Sequence, residues 1–184
     1  MNFTRTKIEG VFVIELEPRR DERGFFARQW CAEEFARAGL DTRIAQINTA
    51  RSVVCGTLRG MHFQRAPHAE VKLVRCASGA VFDVALDLRA HSPTFRQWFG
   101  VELDSESGRM LYLPEGCAHG YLTLRPGTDL VYQSSVPYAP TSATGVRHDD
   151  PAFGIEWPQP VSVISRQDLD WPDFPSAASA SSPA

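Results

Sequence analysis

The chain has 184 residues, of which 43% are hydrophobic and 22% are charged, as in an ordinary globular protein. Its formal net charge of −3 provides no general attraction to nucleic acid or to anionic membranes, so we expect neither as a partner. The first ten residues contain charges and no long apolar run, which argues against a signal peptide or a membrane span.

The cysteines are widely spaced and form no CxxC pair, unlike the ligands of a zinc site or a dense disulfide framework. They are Cys31, Cys55, Cys76 and Cys117. We interpret them as small buried side chains in a reducing compartment. The sequence therefore predicts a cytoplasmic protein.

Short apolar runs separated by turn residues dominate the chain. They predict ten strands, at residues 11–16, 24–30, 45–49, 53–58, 71–76, 81–88, 99–103, 109–113, 120–124 and 129–134. Residues 77–80 read as a hairpin turn, and residues 31–38 as a helix that ends before Gly39. Many short strands with one or two short helices predict an all-β fold, an antiparallel jelly-roll β-sandwich or barrel.

We expect residues 1–174 to form one jelly-roll domain. Residues 175–184 consist of Ala, Ser and Pro, which cannot bury enough apolar surface to become ordered. The sequence therefore predicts a disordered tail at residues 175–184.

The stretch LRGMHFQ (residues 58–64) is the strongest candidate for a functional segment. His62 is a base that titrates near neutral pH, and Arg59 and Lys72 supply positive charge nearby in the sequence. Arg59 and His62 differ in strand parity, so they share a face only if Gly60 bends the strand. Such a group could remove a proton and stabilise the anion that results.

A second histidine, His119, lies in PEGCAHG (residues 114–120), which resembles the second signature of the cupin jelly rolls. Metal-dependent cupins carry H-x-H in the first signature, whereas here Gln64 follows His62 in that spacing. His68 and Glu70 could substitute as ligands, but an amide is a weak ligand for a first-row metal. We expect no metal, which leaves His62 and His119 free for acid–base chemistry.

Motifs along most of the chain resemble the dTDP-4-dehydrorhamnose 3,5-epimerase family of nucleotide-sugar epimerases, which have a cupin-like jelly roll. They are DERGFF (21–26), LRGMHFQ (58–64), AEVKLVR (69–75), GAVFDVA (79–85), SPTF (92–95), PEG (114–116), AHG (118–120), YAP (138–140), DDP (149–151) and IS (164–165) with Asp168. Their order and spacing make the resemblance specific.

The resemblance implies catalytic roles. His62 matches the base, Asp168 the carboxylate that orients it, and Tyr132 the proton donor on the opposite face of the sugar. Lys72 matches the cation beside the C4 oxygen, and His119 lines the same pocket. Without the resemblance, Tyr132 reads as a core aromatic residue, Lys72 as a surface charge, and Asp168 as a loop acid or helix cap.

The resemblance also implies the ligand and its contacts. A nucleotide-diphospho-sugar is the expected substrate, and no cofactor is needed for epimerisation. The positions that match substrate-binding residues are Arg23, Phe26, Gln46, Asn48, Arg59, His119 and Tyr138. Family members pair as dimers, so a homodimer is expected in which a strand near the N-terminus helps close the partner's site.

The chain departs from the family pattern at four positions. Arg28 and Ala143 replace two Glu residues, Gln167 replaces the Lys before the dyad Asp, and Phe63 replaces the Tyr after His62. These departures fall on substrate contacts and leave the catalytic set whole. We therefore expect the reaction class to be retained, and the nucleotide and the sugar stay open between those of the family and related ones.

The sequence thus predicts an epimerase that inverts C3, C5 or both in a nucleotide-linked 4-keto-6-deoxy-hexose. Three alternatives stay open at this point. They are a single-carbon epimerase or ketoisomerase on a related nucleotide sugar, a metal-dependent cupin enzyme, and a jelly roll that binds sugar without catalysis.

Overall fold

The computed structural model describes residues 1–175. This part of the chain forms strands β1 (Asn2–Arg5), β2 (Phe12–Glu15), β3 (Arg19–Asp21) and β4 (Gly24–Phe26), helix α1 (Ala32–Arg37), strands β5 (Gln46–Ser52), β6 (Thr57–Gln64), β7 (Lys72–Ser78), β8 (Ala80–Asp87), β9 (Trp98–Asp104), β10 (Met110–Leu113), β11 (Cys117–Thr123), β12 (Thr128–Ser134), β13 (Ala143–Gly145) and β14 (Val163–Ile164), and helix α2 (Arg166–Leu169). No helix within these residues is long and apolar enough to cross a membrane.

Two sheets pack face to face, which confirms the predicted antiparallel jelly-roll architecture. Sheet I has the strand order β1-β2-β10-β7-β12-β5, and sheet II has the order β13-β6-β11-β8-β9. Strand β14 adds to sheet II beside β6 in the parallel direction, whereas the other pairs are antiparallel. Strands β3 and β4 form a separate hairpin.

Each sheet is covered on its inner face and on part of its outer face. Between the sheets lies a core that includes Val74 and Leu130 from sheet I and Val81 and Leu103 from sheet II. Phe35 of α1 packs on the outer face of sheet I, and the segment that contains Phe153 packs on the outer face of sheet II. Burial of both faces explains why central strands such as β8 are apolar almost throughout.

The predicted strands all overlap observed ones, with three kinds of difference. The predicted strand at 53–58 was shifted, because Val53 and Val54 are exposed and β6 begins at Thr57. The turn at 77–80 is not a hairpin, since β7 and β8 belong to different sheets. The elements that the prediction missed are short: β1, β3, β13, β14 and α2. The predicted tail lies outside the described residues, except for Pro175.

A bulge in β6 brings Arg59 and His62 onto one face. His62 pairs with His119 of β11, while Arg59 pairs with Tyr121, so β6 has one more residue than β11 between these two pairs. The extra residue in β6 reverses the alternation of its side chains, so Arg59 and His62 point to the same face. This bulge is the bend at Gly60 that the sequence analysis gave as the condition for a shared face. Gly60 has φ of +138°, and a Cβ there would lie 2.4 Å from the Gly120 Cα.

We therefore expect Gly60→Ala to lower the free energy of unfolding by about 1–3 kcal/mol or more. Urea unfolding measures this loss. Gly39→Ala is the matched control, because Gly39 also has a positive φ but has nothing within 4 Å of its Cβ position. Equal stability of the two variants would contradict the role assigned to the close approach at Gly60.

Candidate active site

A cleft opens between the two sheets. Its larger lobe has a volume of about 510 Å³ and its smaller lobe about 250 Å³. His62, Lys72, Tyr132 and Gln167 line both lobes and so join them. His62 comes from sheet II, whereas Lys72 and Tyr132 come from sheet I. The cleft therefore has ionisable side chains on both walls.

Strand alternation places these side chains between the sheets. Tyr132 has the parity of Leu130, and Lys72 has the parity of Val74, both of which lie in the inter-sheet core. The functional residues therefore continue the rows of core side chains. That is why Tyr132 is half-buried and Lys72 is almost fully buried.

Asp168 reaches His62 from a part of the chain 106 residues away. Its Oδ1 lies 2.6 Å from Nε2 of His62, and its Oδ2 accepts a hydrogen bond from the Gly60 amide at 3.3 Å. Pairing of β14 with β6 delivers α2 to this place, and the Ser165 hydroxyl caps that helix by accepting from the Asp168 amide. The contact with Asp168 thus engages Nε2 of His62 and not Nδ1.

Opposing effects act on the Asp168 carboxyl. Burial favours its neutral form, but the hydrogen bond and charge of His62, together with the Gly60 amide, outweigh burial and hold the pKa of Asp168 below its ordinary value. Asp168 is therefore ionised at neutral pH. An ionised partner fixes the tautomer of the imidazole and stabilises its protonated form.

Lys72 lies across the cleft beside Glu70. Its Nζ is 3.1 Å from Oε1 of Glu70 and 3.5 Å from the backbone oxygen of His62. Both side chains of the ion pair are only about one-tenth exposed, at 11% and 12%. The ammonium is thus held between the Glu70 carboxylate and the backbone of the strand that carries His62.

Tyr132 presents a phenol to the cleft. Burial is the largest influence on it and raises the pKa of Tyr132, the nearby charge of Glu70 raises it further, and Arg59 opposes both. The phenol is therefore protonated at neutral pH. A protonated phenol is able to donate to a carbanion or enolate.

A second histidine–carboxylate pair underlies the larger lobe. His119 Nε2 lies 2.8 Å from Oδ1 of Asp83, which is fully buried. Tyr121 lines the same lobe, and burial raises its pKa to about 12. The sequence placed His119 in the pocket but missed Asp83 and Tyr121. A carboxylate inside the apolar run at 81–88 was the available signal for Asp83.

Three of the residues expected to bind the nucleotide line the cleft. Gln46 and Tyr138 line the smaller lobe, and Arg59 lines the larger one. Gln46 also accepts a hydrogen bond from the Tyr138 amide at 2.9 Å. Asn48 lies on β5 opposite Tyr132, and its buried Nδ2 lacks a partner among the described residues.

Arg23 and Phe26 lie outside the cleft of their own chain. They belong to the β3–β4 hairpin, where the Arg23 side chain is 84% exposed and pairs with Asp21, and Phe26 is 72% exposed. Phe26 lines a separate depression with Arg28.

The four departures from the family pattern fall in different places. Phe63 and Ala143 line the smaller lobe, and Gln167 lines both lobes. Arg28 instead pairs with Glu34 at 2.8 Å on the outer face of the molecule. Three of the changes can therefore alter what the cleft accepts.

Two side chains that a metal-dependent cupin site would need as ligands, those of Gln64 and His68, make hydrogen bonds within the protein. Gln64 accepts from the Ala139 amide at 2.6 Å and donates to the His68 and Pro137 carbonyls. His68 pairs with the Ser142 hydroxyl at 2.9 Å. Within residues 1–175, no group of three His, Cys, Asp or Glu side chains forms a candidate metal site.

Comparison with known proteins identifies the family. The family model described as dTDP-4-dehydrorhamnose 3,5-epimerase matches residues 5–176. The chain belongs to this family of isomerases. A dTDP-4-dehydrorhamnose 3,5-epimerase from Sinorhizobium fredii is 40% identical over 95% of this chain and 90% of the relative. A dTDP-4-dehydrorhamnose 3-epimerase from Streptomyces niveus is 43% identical over 89% of this chain and 79% of the relative.

A solved structure in the epimerase family has the same fold. NovW, a 4-keto-6-deoxy sugar epimerase from the novobiocin biosynthetic gene cluster of Streptomyces spheroides, aligns with a TM-score of 0.88 and 41% identity. The alignment covers 93% of this chain and 86% of NovW. The sequence comparisons thus support the family assignment, and the structure comparison supports the fold.

The lowered pKa of Asp168 makes its contribution to stability pH-dependent. The contribution is full above the ordinary pKa of about 4 and is lost as the pH falls through the lower folded value. Asp168→Asn should therefore lower the free energy of unfolding by about 1–2 kcal/mol near pH 7 and by progressively less below pH ~4.

Urea unfolding across this pH range measures the difference. Asp170→Asn is the control, because Asp170 belongs to the same helix region but its side chain is 64% exposed. A loss for Asp168→Asn that stayed constant down to pH ~3 would contradict the assignment.

Proposed function

We propose that this chain epimerises a nucleotide-linked 4-keto-6-deoxy-hexose, converting dTDP-4-dehydro-6-deoxy-D-glucose to dTDP-4-dehydro-L-rhamnose. One observation carries the proposal. The His62–Asp168 pair and the Tyr132 phenol line one cleft from opposite sheets. Inversion of a carbon requires a base on one side of the sugar and an acid on the other.

The ketone makes the chemistry accessible to these side chains. C3 and C5 both lie next to the C4 carbonyl, so loss of either proton produces an enolate. His62 takes the proton, and Asp168 stabilises the imidazolium that forms. The Lys72 ammonium stabilises the negative charge that develops on the C4 oxygen. Tyr132 then returns a proton to the opposite face of the carbon.

Arg59 is suited to the diphosphate. Arg59 lines the larger lobe, and its guanidinium donates to the Arg51 carbonyl at 3.2 Å. Within residues 1–175 the guanidinium has no carboxylate partner. Lys72, His62 and His119, by contrast, each have a carboxylate partner. Arginine binds phosphate through its planar fork of donors. Gln46 and Tyr138, which line the smaller lobe, are the other expected binding residues in the cleft.

Epimerisation of C3 alone is the second candidate function. The chain is as similar to a relative called a 3-epimerase as it is to relatives called 3,5-epimerases. Both reactions use the same base and the same acid. The outcome depends on whether the enolate can turn to present its second carbon to His62.

We also propose a homodimer in which the β3–β4 hairpin closes the partner's cleft. Phe25 and Phe26 on strand β4 are 52% and 72% exposed, and neighbouring large apolar side chains that are exposed indicate a binding surface. Arg23 on the same hairpin would then reach a substrate phosphate in the partner. A cytoplasmic location stays a prediction from the cysteine spacing.

Proton exchange tests the proposed reaction. With dTDP-4-dehydro-6-deoxy-D-glucose in deuterated buffer, the protein should remove both the C3 and the C5 proton signals; loss of the C3 signal alone would select the second candidate. His62→Asn should slow exchange at both carbons by about 10²–10⁴-fold. Tyr132→Phe should keep exchange while it loses inversion, because His62 can still return a deuteron from its own side.

His91→Asn is the control, since His91 is an exposed histidine that does not line the cleft. Full exchange in His62→Asn, or normal inversion in Tyr132→Phe, would contradict the assigned roles. No exchange with the folded wild-type protein would contradict the substrate proposed.

Subunit complementation tests the dimer. Mixing His62→Asn protein with an Arg23→Ala/Phe26→Ala double variant, under conditions that exchange subunits, should restore up to about a quarter of wild-type activity. Half of the dimers are then mixed, and each contains one site with an intact base and an intact hairpin.

Mixing His62→Asn with Asp168→Asn protein provides the control. Both changes affect the same cleft of one chain, so no mixed dimer contains an intact site. Equal activity in the two mixtures, or a monomer in analytical ultracentrifugation, would contradict the proposal.

A further inference from the structure

Glu70 is a nearly buried carboxylate in the cleft that the mechanism above does not use. It lines the smaller lobe and lies two residues before Lys72, which lines the same lobe. One carboxylate oxygen lies 3.1 Å from the Lys72 ammonium, and the other accepts from the Ser134 hydroxyl. Ser134 pairs with Lys72 across β12 and β7.

These contacts restrict a side chain that is otherwise flexible. Lysine has four rotatable bonds, and its ammonium is a point charge without a preferred direction. Here the ammonium is held by the Glu70 carboxylate and by the His62 backbone oxygen, which comes from the opposite sheet. The Ser134 hydroxyl in turn fixes Glu70. The position of the charge is therefore set before substrate arrives.

A carboxylate at this place also has a cost. The substrate carries a diphosphate, and a negative charge in the cleft repels it. Repulsion weakens ground-state binding, whereas a preset ammonium helps only when charge develops on the ketone oxygen. The two effects therefore appear in different kinetic constants.

We propose that Glu70 is a positioning residue for the proton-transfer reaction, which holds the Lys72 ammonium where the enolate oxygen forms. This inference rests on the proposed epimerisation. It predicts that Glu70 contributes to kcat and not to substrate binding.

Tyr132 provides a second readout. The charged groups that face it are Glu70 from the segment before β7, Lys72 from β7, and Arg59 and His62 from β6, with the Tyr121 phenol from β11. Burial and Glu70 raise the pKa of Tyr132, and Arg59 lowers it. Loss of the Glu70 charge should therefore let Tyr132 deprotonate at a lower pH. The alkaline limb of the plot of kcat against pH should then move to lower pH.

The test compares Glu70→Gln with Glu70→Asp and Ser134→Ala. Glu70→Gln keeps the size of the side chain but removes its charge, so kcat should fall by on the order of tenfold to a hundredfold with KM unchanged or lower. The alkaline limb should move to lower pH. Glu70→Asp should recover part of kcat, and Ser134→Ala should show a smaller loss in the same direction.

Glu102→Gln is the matched control, because Glu102 is an exposed carboxylate on β9 that does not line the cleft. A kcat for Glu70→Gln within about twofold of wild type, with an unmoved alkaline limb, would overturn the inference alone. If Glu70→Gln does not fold, a wild-type kcat in both Glu70→Asp and Ser134→Ala overturns it. Absence of exchange in the wild-type protein would overturn the proposed function and this inference with it.

Discussion

The hydrogen bond between His62 and Asp168 is the constraint on which the site depends. It joins the strand that carries the base to a helix of four residues near the end of the described chain. A carboxylate as buried as Asp168 must have partners, because an unpaired charge in the protein interior is costly. His62 and the Gly60 amide are those partners, and the register of β14 on β6 brings Asp168 to both of them. Docking in that register also completes the cleft, since Gln167 lines both of its lobes.

The sandwich provides what an inverting reaction needs, which is access to both faces of one carbon. Each sheet presents a row of side chains toward the other, and the rows change from apolar to polar where the cleft opens. Leu130 is followed on its face by Tyr132, and Val74 is preceded on its face by Lys72. A base from one sheet and an acid from the other therefore require no special loop. The same close packing that forms the core sets the spacing of the catalytic groups.

Paired charges run through the cleft. His62 has Asp168, His119 has Asp83, and Lys72 has Glu70. Such pairing gives each of the three carboxylates in or beside the cleft a hydrogen-bonding partner. Arg59 differs, because its guanidinium contacts a backbone carbonyl and lies at the bulge of β6. Arg59 therefore keeps donors available for the anionic substrate that we propose.

The sequence by itself predicted the central strands and most of the ionisable side chains that line the cleft. Apolar runs located the central strands because those strands are buried on both faces, and the motifs around His62, Lys72 and His119 named groups that do line the cleft. The short elements β1, β3, β13, β14 and α2 carry too few apolar residues to be recognised. The strands among them form because a neighbouring strand supplies their hydrogen bonds, and α2 forms where Ser165 caps it beside β6. Only the tertiary structure decided that β7 and β8 belong to different sheets, that Asp83 supports His119, and that Glu70 holds Lys72. Those contacts join residues whose distance in space is set by sheet packing, a property that no local pattern of the sequence encodes.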